Sequence, residues 1–213
     1  NANTGTPTLA LLQQYDAIIV WNDYSFADSF SMGNVVDSYV NGGGGVVMLN
    51  FCWLDWSGWQ LGGQFATNNL SPVVVTSNIN YNTDSIGTIH LPNHPIMQGV
   101  TTIGFQNTYY AGSPTANGSL IASTQGGLPL VVERMNLANG AVVFLNVLGY
   151  SNNLWPHGYV ANSDTPRMIA NAVNYVGTTP DLTVTLDGPN TVTMTHSNST
   201  GPTGDGHVLA NFT

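Results

Sequence analysis

Short apolar runs alternate with a helically spaced stretch over the first fifty residues of the chain. Residues 17–21 are continuously apolar, which is typical of a strand buried on both faces of a parallel sheet. Apolar side chains then recur at helical spacing over residues 32–40, with Ser29 or Ser31 as the predicted N-cap. A glycine turn leads into a second apolar run at residues 46–51. This order predicts a right-handed βαβ unit and a parallel sheet.

The middle of the chain predicts further strands and a second helix. The apolar runs that indicate strands are residues 73–76, 119–122, 129–133 and 141–145. Asn139-Gly140 predicts that the last two of these strands form a hairpin. Asp164 is the predicted N-cap of the second helix, and Gly177 is predicted to end it.

The pattern changes at residues 178–180, where Thr-Thr-Pro is followed by strict alternation of apolar and polar positions. We therefore predict an α/β domain over residues 1–177 and an antiparallel β tail over residues 178–213. Two or three strands cannot bury both faces of a sandwich, so the tail is expected to need a partner.

Several stretches resemble the glutamine-amidotransferase-like, or flavodoxin-like, domains that occur in secreted bacterial proteins. The stretches that carry this resemblance are residues 8–21, 36–47, 93–100, 130–134, 140–146 and 167–176. The resemblance implies an α/β fold with a mostly parallel three-layer sheet. Such domains normally begin with a further strand and helix, so we expect one sheet edge or face to be left uncovered. The tail is similar to part of an Ig-like β repeat of bacterial surface proteins.

The charge balance excludes two classes of partner. Charged residues make up 6% of the chain, which has no lysine, and its only cations are Arg134 and Arg167, for a net charge of −9. Binding to nucleic acid or to an anionic membrane surface requires many more lysines and arginines. No apolar stretch approaches the roughly 18 residues of a membrane helix, so membrane insertion is not expected either.

The same composition predicts an extracellular or cell-surface location, because a surface of Asn, Ser, Thr and Gly without lysine offers trypsin-like proteases little to cut. Four Asn-x-Ser/Thr sequons agree with this setting and are candidates for glycosylation. They begin at Asn69, Asn117, Asn198 and Asn211. Equally, a chain this rich in asparagine, serine and threonine contains such sequons by chance.

Catalytic members of the resembled family carry a cysteine after a central strand, and a histidine with a glutamate after a later strand. Cys52 and His157 match these places. The Gly-x-Cys-x-Gly turn and the glutamate two residues after the histidine are both absent, and the chain has few cations to activate a thiol. Cys52 and His157 are therefore weak catalytic candidates, and we predict that the chain is not an enzyme.

The sequence gives weaker signals for metal and ligand sites than for the fold. His90 and His94 have the spacing of helical metal ligands, but Pro92 and Pro95 prevent a helix there, so turn or capping roles are favoured. Three aspartates of the tail are candidate Ca²⁺ ligands: Asp181, Asp187 and Asp205. No other cofactor is predicted. Four tryptophans are candidates for a platform that binds sugars, although loop aromatics more often cover an exposed core: Trp53, Trp56, Trp59 and Trp155.

Three functions follow from these observations. The first is a structural subunit that polymerises head to tail with copies of itself, because a β tail without enough partners suits intermolecular strand complementation. The second is a carbohydrate- or ligand-binding module of a larger protein, indicated by the tryptophan-rich residues 52–70. The third is a hydrolase or amidotransferase-like enzyme that uses Cys52 and His157.

Overall fold

The structure is a computed structural model, and it describes residues 1–77, 82–108, 113–154, 156–177, 182–188 and 191–196. The helices are α1 (Leu9–Leu12), α2 (Ser29–Asn41), α3 (Gly63–Thr67) and α4 (Thr165–Gly177), with a 3₁₀ helix at Pro95–Met97. The strands are β1 (Ala17–Val20), β2 (Gly45–Met48), β3 (Asn82–Ile89), β4 (Gly104–Thr108), β5 (Gly118–Thr124), β6 (Pro129–Arg134), β7 (Ala141–Leu145), β8 (Leu182–Gly188) and β9 (Thr191–His196).

Seven of these strands form one mixed sheet in the order β1-β2-β7-β6-β5-β3-β4. The predicted α/β class is confirmed, but the prediction of a mostly parallel sheet is wrong. Only the β1–β2 and β2–β7 pairs are parallel, and the four other pairs are antiparallel. The reason is the short connections among β5, β6 and β7, since parallel neighbours need a long crossover. Asn139-Gly140 does turn the β6–β7 hairpin, with Gly140 at a φ of 56°.

Helices cover both faces of the parallel part of this sheet. Neighbouring residues of a strand point to opposite faces, so Val46 of β2 packs with α2 and Val47 packs with α4. We call these the α2 face and the α4 face. Both valines are fully buried, which explains why β2 reads as a continuous apolar run.

The N-cap of helix α2 lies one residue before Ser29 and three before Ser31, the two predicted caps. Its N-cap is Asp28, whose carboxylate accepts hydrogen bonds from the backbone N–H groups of Phe30 and Ser31 at 3.0 Å. The helix lies against the start of α3 at Gly33, where an added Cβ would stand 1.9 Å from the Gly62 carbonyl oxygen. A glycine is therefore required for this close approach.

The aspartate before α4 holds a neighbouring loop rather than capping its own helix with its side chain. One carboxylate oxygen of Asp164 accepts hydrogen bonds from the backbone N–H and the hydroxyl of both Thr101 and Thr102, at 2.9–3.0 Å. These bonds hold the pKa of the Asp164 carboxyl well below its usual range. The start of α4 is thereby tied to the loop that precedes β4.

Two further differences concern strands. Residues 73–76, predicted as a strand, make only isolated bridges at Val73 and Thr76. Strands β3 and β4 were not indicated, because the Asn82–Ile89 segment contains only two apolar side chains. In the tail, β8 and β9 pair antiparallel as a separate two-stranded sheet. The third predicted tail strand lies outside the described residues.

Candidate functional site

The carboxyl ends of β1, β2 and β7 lie side by side, because these three strands are parallel neighbours. In open α/β sheets, ligands bind outside the carboxyl ends of the parallel strands. The segments that leave these strands place polar and aromatic side chains at this edge, which is therefore the candidate site.

Buried amides form the floor of this edge. The Asn50 side-chain amide donates to the Asn146 side-chain oxygen at 3.1 Å, and the Trp53 indole N–H donates to the Asn50 oxygen at 2.8 Å. Asn146 in turn donates to the Pro129 carbonyl at 3.0 Å. The side chains of Asn50, Asn146 and Trp53 are at most 1% exposed. Because each buried polar group has a partner, the ends of β2, β6 and β7 are locked together.

A third buried amide connects the loops above this floor. The Asn22 oxygen accepts from the backbone N–H of Phe51, and its NH₂ donates to the carbonyls of Tyr24 and Trp59, both at 3.0 Å. One side chain thus fixes the loop after β1 against the loop after β2. Residues carried by these two loops are held in a set arrangement.

Aromatic rings cover the outer surface of these loops. Trp21 and Trp56 are each 42% exposed and Tyr24 is 72% exposed. The Trp21 ring meets the Tyr150 ring edge to face at 6.0 Å, and the Trp56 and Trp59 rings meet at 5.5 Å. We call these five residues the aromatic edge. Such exposed clusters of large rings mark interaction sites.

An ionisable pair lies within the aromatic edge. The Tyr150 hydroxyl donates to a carboxylate oxygen of Asp23 at 3.4 Å, and His157 interacts electrostatically with the same carboxylate. Desolvation by the surrounding side chains raises the pKa of Asp23, while Tyr150 and His157 offset part of that rise. The arrangement offers a carboxylate, a phenol and an imidazole beside apolar ring surfaces.

The two weak catalytic candidates are not brought together as a pair. Cys52 is 1% exposed, and its thiol donates to the Leu49 carbonyl at 3.0 Å. Burial raises the pKa of this thiol well above its ordinary value. His157 is instead an exposed residue that interacts with Asp23. Cys52 therefore lacks the exposure and the lowered pKa that a nucleophilic cysteine needs.

We expect the Cys52 thiol to resist alkylation in the folded protein. Iodoacetamide at neutral pH should leave it unmodified over hours in buffer and should modify it within minutes in concentrated guanidinium chloride, since only unfolding exposes it. Intact-mass spectrometry measures both outcomes. Rapid labelling of the folded chain would contradict the buried position.

The structure separates the tryptophans predicted as a sugar-binding platform, and sugar binding by them stays a prediction. Trp56 and Trp59 lie in the aromatic edge, but Trp53 is buried and bonded to Asn50, so it cannot contact a sugar there. Trp155 lies outside the described residues. Sequence reasoning missed three members of the aromatic edge, Trp21, Tyr24 and Tyr150, and the carboxylate of Asp23 that bonds to Tyr150. Their position directly after predicted strands was the available signal.

The histidine candidates have structural partners. His90 contacts the Ser123 hydroxyl at 3.2 Å, and His94 caps the 3₁₀ helix by accepting from the Ile96 N–H. Within the described part of the chain, no group of three or more His, Cys, Asp or Glu side chains could hold a metal ion. Of the Ca²⁺ candidates, Asp181 and Asp205 fall outside that part, and of Asp187 only its place in β8 is described.

Two of the four sequons fall on described residues. Asn69 and Asn117 are both exposed, and Asn69 has a left-handed φ of 51°. Asn198 and Asn211 lie outside the described residues. Glycosylation stays a prediction at all four.

Comparison with known proteins shows the fold of this chain. No family model and no curated protein matches it. Among solved structures, it is similar to a cytoplasmic protein from Salmonella typhimurium with 14% identity, covering 82% of this chain and 77% of that one, at a TM-score of 0.55. A ThuA-like protein from Parabacteroides merdae shares 15% identity over 84% of this chain and 75% of its own, at 0.52.

A ThuA-like protein from Bacteroides uniformis is similar in the same way, with 13% identity over 79% of this chain and 72% of its own, at a TM-score of 0.51. The likeness is one of fold: these neighbours fall within the glutamine-amidotransferase-like, flavodoxin-like class, and the resemblance of this chain to that family stays a prediction. The relation to secreted bacterial versions with an Ig-like repeat stays a prediction.

The predicted extracellular or cell-surface location is wrong. The finding that overturns it is the structural similarity of this chain to a protein named as cytoplasmic. No helix among the described residues combines the length and apolar character needed to cross a bilayer.

Proposed function

We propose that this protein binds a saccharide at the aromatic edge. The observation that carries the proposal is the set of exposed rings of Trp21, Tyr24 and Trp56 on the loops after β1 and β2, together with the hydrogen bond between Asp23 and Tyr150 in this group of loops. Their position at the carboxyl ends of the parallel strands, where ligands bind in α/β sheets, supports it.

The chemistry of the edge suits a sugar ring. Large flat side chains offer apolar area at a low cost in conformational entropy, and the C–H faces of a pyranose can stack on them. The carboxylate of Asp23 accepts hydrogen bonds from sugar hydroxyls, and bonds to a charged acceptor are the stronger kind. The buried amides hold the loops in place before a ligand binds, which lowers the entropic cost of ordering these loops on binding.

Titration of the protein with maltotriose and with cellotriose, followed by saturation-transfer NMR and calorimetry, tests this proposal. We expect Trp56→Ala and Tyr24→Ala each to weaken binding about fivefold, because one stacking ring contributes on the order of 1 kcal/mol. Phe30→Ala is the matched control, since Phe30 is an equally exposed ring (61%) on α2, outside the aromatic edge.

Binding that falls as much in Phe30→Ala as in the edge variants would contradict the proposal, as would an absence of binding by any neutral oligosaccharide tried. The lack of enzymatic activity stays a prediction. Incubating each bound oligosaccharide with the protein and analysing the products examines it directly.

Assembly into a filament is the second candidate function, and one observation favours it. Strand β1 is at the edge of the sheet, and Ile19 in it is 42% exposed. Natural sheets protect open edges with charges, prolines or bulges, and residues 17–21 contain neither a charge nor a proline. The β8–β9 sheet is a hairpin of the size that is marginal alone in water. Donation of a tail strand to β1 of the next copy would extend head to tail.

Negative-stain electron microscopy of the full chain, of a variant that ends at Gly177 and of Ile19→Lys tests the assembly function. We expect filaments from the full chain only, with circular dichroism showing that both variants are folded. Monomers from the full chain at high concentration would exclude filament formation. Filaments that persist in both variants would exclude the tail and β1 as the joining elements.

A further inference from the structure

A second concave site lies on the α2 face, apart from the aromatic edge. It is a cavity of about 290 Å³ between α3 and the irregular segment at residues 69–75. Its floor consists of buried apolar side chains that are each at most 3% exposed: Met48, Cys52, Trp53, Leu61, Phe65 and Val73. The described residues that line it are uncharged, and Val74 and Val75 at its rim are 45% and 37% exposed. The interior of this cavity therefore suits an apolar group.

A cation stands beside the rim. Arg134 ends β6, and its Nε donates at 3.0 Å to the carbonyl of Asn69, a residue of the rim. A second guanidinium nitrogen donates to the Met135 carbonyl. The preceding residue, Glu133, points to the opposite face of the sheet, where it contacts His94. Strand alternation thus directs Arg134 towards the face that carries the cavity.

Arg134 differs from the other cation of the chain in its partners. Arg167 has the Asp164 carboxylate at 3.7 Å, whereas the described residues place no carboxylate within 4.0 Å of the Arg134 guanidinium. Burial also lowers the pKa of Arg134, which an anionic partner would offset. Among the described residues, the hydrogen-bond partners of the partly buried Arg134 side chain are thus backbone carbonyls.

We propose that the cavity binds an aliphatic carboxylate, with the alkyl chain on the apolar floor and the carboxylate on the Arg134 guanidinium. Apolar burial supplies the affinity for the chain, and a guanidinium recognises a carboxylate through parallel N–H bonds. The volume is near the lower end of the range for ligand pockets, roughly 300–1,000 Å³, which favours a medium-length chain over a long one. This inference is independent of saccharide binding.

Calorimetric titration with decanoate, and with 1-decanol as the uncharged probe, tests the proposal. We expect Arg134→Gln to weaken decanoate binding at least tenfold and to leave decanol binding unchanged, because only the carboxylate contacts the guanidinium. The matched control is Arg167→Gln, which removes the other cation and should change neither titration.

The cavity itself is tested by Ala66→Phe, which places a ring at the rim without altering a buried residue. We expect it to abolish binding of both probes, while thermal unfolding and saccharide binding stay as in the unmodified protein. The proposal is overturned if decanoate does not bind below its micelle concentration. It is also overturned if Arg134→Gln and Arg167→Gln weaken decanoate binding equally. The same holds if Arg134→Gln weakens the binding of decanoate and decanol equally, or if Ala66→Phe leaves binding of the probes unchanged.

Discussion

Replacing Asn50 with alanine is expected to lower the free energy of unfolding by about 3–5 kcal/mol. The substitution removes the acceptor of the Trp53 indole N–H and the donor to the Asn146 side-chain oxygen. Both groups are buried away from water, and each unsatisfied polar group costs about 1–3 kcal/mol. Urea unfolding followed by circular dichroism measures the loss.

The matched control for this prediction is Asn117→Ala, which removes the same side chain from an exposed position and should change stability by less than about 0.5 kcal/mol. The double variant Asn50→Ala with Trp53→Phe should recover part of the loss, because phenylalanine has no N–H to leave unpaired. A loss of under about 1 kcal/mol in Asn50→Ala alone would show that the amide network does not hold these strand ends together.

Glu133→Ala is expected to lower the free energy of unfolding by about 2–4 kcal/mol. The carboxylate accepts a hydrogen bond from the Tyr175 hydroxyl of α4 at 2.5 Å and contacts the His94 ring at 3.3 Å. It therefore joins β6, α4 and the segment before the 3₁₀ helix, and its removal leaves two partly buried groups without this partner. Thermal and urea unfolding both measure the effect, with the exposed Asp55→Ala as the control.

The contribution of Glu133 should also depend on pH. The hydrogen bond with His94, followed by that with Tyr175, holds the pKa of Glu133 below its ordinary value of 4.5, against the opposing effect of burial. A lowered pKa in the folded state stabilises the protein above the pKa of the unfolded state, and this stability is lost as the pH falls through the folded pKa. The stability gap between the unmodified protein and Glu133→Gln should therefore narrow from about pH 7 to about pH 3. A stability difference that stays constant between pH 7 and pH 3 would contradict a contribution from the charge of Glu133.

The sequence was sufficient to predict the helices and strands that have a strong hydrophobic periodicity. Helices α2 and α4 and strands β1, β2, β5, β6 and β7 coincide with predicted segments, because each buries a continuous run or a helical stripe. Strand β3 was missed since it combines glycine, serine and aspartate with two isoleucines. Residues 73–76 have the composition of a strand, but they run beside the cavity and make only two isolated bridges.

The site was less predictable than the fold. Its members come from three loops that meet only because β1, β2 and β7 are neighbours, and the order of strands cannot be read from local periodicity. Burial also separates similar residues: Trp53 bonds to Asn50 in the core, while Trp56, three positions later, is exposed. Only the tertiary structure distinguishes such tryptophans.

The pairing of β2 with β7 has a consequence for how the chain is made. Their carboxyl ends are joined by the Asn50–Asn146 bond, whose two residues are 96 positions apart. At synthesis rates of about 5–20 residues per second, β2 emerges from the ribosome roughly 5–20 s before its neighbour exists. During that interval the valines of β2, which are fully buried in the folded protein, have no neighbouring strand on the side that β7 later occupies. Nascent chains that stall before residue 141 therefore expose an apolar strand that is paired only with β1, and we expect them to be prone to aggregation.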